Sequence, residues 1–90
     1  MISFEDCVGL CGLTQAEIEA VAEHEHIPEI AAAALASYLL HTKNGPGHIK
    51  AMIVGDIRSA VRDGRLQHGA ELLMALRHFL ESHPEAKAEA

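Results

Sequence analysis

The chain has 90 residues and a formal charge of −6, with 13 acidic side chains against seven Lys and Arg. That length supports one small core. The lack of a basic stripe argues against nucleic acid as a partner, and the longest apolar run, within Ile30–Leu40 and broken by Ser37, is too short to cross a bilayer.

Apolar residues make up 49% of the chain, but aromatics are 3% and fifteen residues are alanine. Such a mixture favours helices over sheets. Charge is unevenly placed: residues 1–42 carry seven acids and no Lys or Arg, while residues 43–90 carry all seven bases and six acids. Arg58, Arg62 and Arg65 form the one basic cluster, and acids interleave it. The opening Met1-Ile2-Ser3-Phe4 lacks the basic and apolar segments of a signal peptide. The cytoplasm is therefore the expected compartment, and free thiols the expected state of Cys7 and Cys11.

Ser3 is placed to cap a short first helix that Gly12 ends. Thr14 and Glu17 then have the spacing of a capping box, flanked by Leu13 and Ile18 as a hydrophobic staple. A helix is predicted from about Gln15, with Ile18, Val21, Ala22 and Glu25 on its inward stripe. It stops near His26, because Pro28 biases Ile27 out of the α region. Pro28 opens the next helix, which runs to about His41 and is apolar nearly all round. Such a helix is central in a bundle or half of an oligomer interface.

Lys43-Asn44-Gly45-Pro46-Gly47 reads as a loop. A helix from about Gly47 to Arg62 follows, with Ile49, Met52, Ile53, Ile57 and Val61 at helical spacing. Asp63-Gly64 ends it. The last helix spans about Arg65 to Ser82, with Leu66, Ala70, Leu73, Leu76 and Leu80 inward and Leu72 and Phe79 on the flank. Pro84 stops it, and residues 84–90 read as a polar, disordered tail. The prediction is a single all-α domain over residues 1–83, an up-and-down bundle of four helices plus a short N-terminal helix.

Seven histidines in 90 residues are the compositional oddity. Near a helix C-terminus an imidazole interacts well with the dipole, which accounts for His41 and His83. The run Glu23-His24-Glu25-His26-Ile27-Pro28-Glu29 gathers five potential ligands in seven residues. Glu23 and His26 stand at i, i+3, the Glu-x-x-His spacing that di-iron bundles use twice with two further glutamates. One copy of the motif cannot build such a site in a monomer. A two-fold axis could supply the second, so Glu23, His26, Glu25 and Glu29 are the candidate ligands for a divalent metal, iron or zinc. Haem ligation would need His78 to face His26 or His41, and no Cys-x-x-Cys-His attachment motif is present. Cys7 and Cys11, at i, i+4, fit packing residues better than a redox or zinc motif. Catalysis lacks support, because there is no nucleophile elbow, P-loop or dinucleotide fingerprint.

These features point to a non-enzymatic helical interaction or regulatory module. Its expected partner is a second copy, or another helix, against the Ala-rich helix that starts at Pro28. The alternative is a metal-binding bundle using the 23–29 cluster. A third reading is pH sensing, since seven histidines titrate between about pH 5 and 7.5.

Overall fold

A computed structural model describes residues 13–88. The expected Ser3-capped helix and the Cys7/Cys11 pair lie outside the described residues. Four α-helices follow one another: α1 over Gln15–Glu25, α2 over Glu29–Leu40, α3 over Gly45–Arg62 and α4 over Leu66–Ser82. A 3-10 helix over Pro84–Ala88 closes the described chain. The fold is all-α, with no strand among the described residues. None of these helices is long and apolar enough to cross a membrane.

α1 begins where its local signals place it. Thr14 Oγ1 accepts from the Glu17 N–H at 3.2 Å, and Glu17 Oε1 accepts from the Thr14 N–H at 3.0 Å. The staple residues Leu13 and Ile18 are both buried. The helix ends at His26, which adopts the left-handed conformation with φ 57°. The N–H groups of His26 and Ile27 both donate to the Ala22 carbonyl, a Schellman-type ending that more often uses glycine. Pro28 is the N-cap of α2 rather than its first residue.

One face of α2 is core, formed by Ala32, Ala33, Ala36 and Leu39. The other carries Ile30 and Tyr38 into solvent. α3 starts at Gly45, two residues earlier than Gly47, because Pro46 fits a first helical turn. A Cβ at Gly45 would overlap the Leu39 carbonyl. The α2–α3 corner therefore closes only over glycine.

α4 departs from its predicted orientation. Its buried residues are Gly69, Leu72, Ala75 and Phe79, while Leu66 and Leu73 are exposed and Leu76 and Leu80 half-buried. Both stripes have helical spacing. The inner one wins because it buries Phe79 completely and sets the small Gly69 and Ala75 in the core, where neighbouring helices approach closely. α1 buries Ile18, Val21 and Ala22 as expected, but Glu17 is fully buried beside them, while Glu25 faces solvent.

Fully buried Ile18, Val21, Ile49, Ile53 and Phe79 fill the centre. α1 packs on all three other helices, α2 on α1 and α3, and α3 most extensively on α4. The segment after Pro84, expected as a disordered tail, instead packs on α3 and α4 as the 3-10 helix. The Ala86 N–H donates to the His83 carbonyl, Lys50 Nζ donates to the Ala86 carbonyl at 3.4 Å, and the Ala86 side chain is buried. Burying alanine orders no side-chain rotamer, which makes this docking inexpensive.

Candidate functional site

Imidazoles and carboxylates gather along the seam where α1 meets α3 and α4. At one end lies Glu17. Its capping-box role uses Oε1, and Oε2 accepts a hydrogen bond from His78 Nδ1 of α4 at 2.7 Å. Both oxygens of a fully buried carboxyl group are thus satisfied, which removes most of the cost of burying it. The imidazole of His78 lies at the surface, with its side chain 56% exposed.

Further along α1, Glu23 Oε1 accepts from His68 Nε2 at 2.6 Å, a second tie between α1 and α4. His68 also stands 3.9 Å from Glu71, within ion-pair range but beyond hydrogen-bond distance. His24 donates from Nδ1 to Glu25 Oε2 at 3.1 Å, with both groups in solvent. Its ring lies over α3 at Gly55, where a Cβ would come within 3.4 Å of Nε2.

Next to Gly55 the seam holds Asp56, 4% exposed, whose Oδ2 has no hydrogen-bond partner among the described residues. Burial pushes its carboxyl group up to about 6, and the neighbouring Glu23 pushes the same way. His24, His68 and His26 oppose that rise. A groove of about 550 Å³ opens here between α1 and α3, lined by Glu23, His24, His26, Asp56 and Ser59 and reaching Arg65. Asp63 bridges Arg62 and Arg65 loosely at its outer end, at 3.7 and 3.5 Å. A smaller groove of about 220 Å³ runs along α1 and α4 past Glu19, Glu23, His68 and Glu71.

The four candidate metal ligands do not converge. Glu23 and His26 line the same groove, but Glu23 is bonded to His68. Glu25 turns to His24 in solvent, and Glu29 is exposed in the first turn of α2, beyond the reversal at His26 and Pro28. Among the described residues, no three His, Cys, Asp or Glu side chains are arranged to hold a metal ion. His78 faces Glu17, and His41 donates to the Ser37 carbonyl at 2.7 Å, so neither turns toward a common haem axis.

Sequence reasoning missed Asp56, His68 and the Glu17–His78 pair. Asp56 had a readable signal: it stands seven residues after Ile49, on the apolar stripe of α3. His68 and His78 had none, because their partners lie 45 and 61 residues away. No protein-family model, curated protein or solved structure matches this chain.

Proposed function

We propose that the protein is a small non-enzymatic interaction module that self-associates through the outer face of α4. The observation that carries this reading is the exposure of Leu66 (67%), Leu73 (56%) and Met74 (62%) on one helix. Leu66 and Leu73 are seven residues apart, with exposed Ala70 between them on the same face. Val61, at the end of α3, is exposed as well.

Single apolar side chains on a surface are ordinary, but a contiguous stripe of them marks an interaction site. A second copy fits, because isologous two-fold pairing is the commonest way for a chain to cover such a face. A core built largely of alanine and a few aliphatic side chains also gains from burying more. α4 supports this role better than the Ala-rich α2, whose most apolar face already lies in the core.

Sedimentation velocity across a concentration series tests the reading. The wild-type chain should dimerise in the micromolar range. Leu73→Glu, at an exposed site where substitution costs the monomer about 0.5 kcal/mol or less, should weaken association at least tenfold with helical content unchanged. A wild-type chain that stays monomeric up to about 200 μM would end the idea, given that micromolar affinity corresponds to roughly 8 kcal/mol.

A further inference from the structure

The floor of the groove between α1 and α3 is the buried carboxyl group of Asp56. Asp56 is 4% exposed and its Oδ2 has no hydrogen-bond partner among the described residues, although it lines an open groove. Rotation about χ2 of an aspartate is soft and two-fold, so either oxygen can turn toward the groove. On the opposite wall, Glu23 commits Oε1 to His68 and is close enough to act on Asp56 electrostatically. His24, His26 and His68 act on Asp56 electrostatically but offset its burial only in part, while Arg62, 75% exposed, and Arg65 lie by Asp63 at the outer end.

We propose that this groove binds a small organic cation, carrying a guanidinium or primary ammonium group whose N–H donors are shared between Asp56 and Glu23. A neutral donor would satisfy the lone pair but leave the buried charge uncompensated. A bare metal ion needs ligands that converge on one point, and among the described residues no three do. A guanidinium carries five donors spread over its own plane, so it can bridge carboxylates that do not converge. The groove volume of about 550 Å³ lies in the range of small-ligand sites.

The groups that face Asp56 set when such a ligand binds. They are Glu23, His24 and the C-cap His26 of α1, His68 from α4, Ser59 and Arg62 from α3, and Asp63 and Arg65 just beyond it. The Asp56 carboxyl group, held at about 6 by burial and next by Glu23, is mainly ionised at pH 7.5. Binding should therefore weaken as the pH falls below that value.

Calorimetric titration of the full chain with agmatine, which has a guanidinium at one end and an ammonium at the other, tests the site at pH 7.5. The expected result is 1:1 saturable binding with a Kd below about 1 mM, weakened at least tenfold in Asp56→Asn, which keeps the shape and removes the charge. Amide chemical shifts of the wild-type chain give a reading that needs no variant, with Glu23, Gly55 and Asp56 moving most. No saturation by about 10 mM agmatine, equal affinity in Asp56→Asn, or shifts confined to other residues would each overturn the proposal. So would zinc binding that excludes agmatine and disappears in the same variant, since the groove would then be a metal site. Each outcome is independent of whether the chain dimerises through α4.

Discussion

Glu17 and Asp56 are the two carboxyl groups buried among the described residues, and the bundle treats them in opposite ways. Glu17 lies at the start of α1, where a backbone N–H and an imidazole serve its two oxygens. Asp56 lies in the middle of α3, where the backbone N–H groups are already spent on the helix, and Oδ2 has no donor among the described residues. Position explains the contrast: a helix N-terminus offers unspent N–H groups to a carboxylate, and a helix interior offers none. The first carboxyl group is a structural tie, while the second is a standing cost that something outside the helix must relieve.

Removing the tie should have the largest effect. Glu17→Ala leaves the Thr14 N–H and His78 without their acceptor and opens a small cavity, so a loss of about 3 kcal/mol is expected. Urea unfolding followed by circular dichroism measures it. A loss under about 1 kcal/mol would mean that the buried pair is no more valuable than an exposed cap.

Relieving the cost should act in the other direction. Asp56 keeps its proton up to about 6 in the folded chain, against an ordinary value of 3.8. The folded state thus holds the proton more tightly than the unfolded state does. Its contribution favours folding at low pH and is lost as the pH rises from about 4 through about 6. A difference of about two pH units corresponds to roughly 3 kcal/mol. Asp56→Asn should recover about 2 kcal/mol at pH 8, because the amide still lacks a full set of partners, and almost nothing at pH 4. Stability curves for both proteins from pH 4 to 8 decide the point, and parallel curves would show that Asp56 is not the source of the slope.

The smallest effect concerns the turn at the rim of the groove. His26→Gly should stabilise the chain by about 0.5–1 kcal/mol, because glycine adopts the left-handed conformation at no steric cost. Thermal melting detects it, and unlike the Asp56 effect it should persist at pH 8 and at pH 4. Destabilisation instead would show that the His26 side chain, at the rim of the groove, contributes contacts of its own.

What could be read in the sequence follows the range of the interactions. The start of α1 was legible because Thr14, Glu17, Leu13 and Ile18 act within five residues. The limits of α2, α3 and α4 fell within two residues of expectation for the same reason, through Pro28, Pro46 and the Asp63-Gly64 stop. The facing of α4 was not legible, because its apolar circumference offers two stripes and only contact with α3 selects the one holding Phe79. The 23–29 cluster looked like a site because it is dense along the chain. In space the left-handed turn at His26 parts Glu29 from Glu23, and the groove draws Asp56 from a distant helix.

The double use of Glu17 bears on how the chain folds. Its start signal for α1 needs nothing beyond residue 18, yet its second oxygen waits for a donor 61 residues downstream. During synthesis the first of these helices can begin early but cannot complete its buried end until the last one has emerged and docked. The pair therefore ties the first of these helices to the last, and equilibrium unfolding is expected to be cooperative, as in most single domains of this size. Fragments that stop short of residue 78 should keep a frayed α1, visible as faster amide exchange at Glu17 and Ile18 than in the full chain.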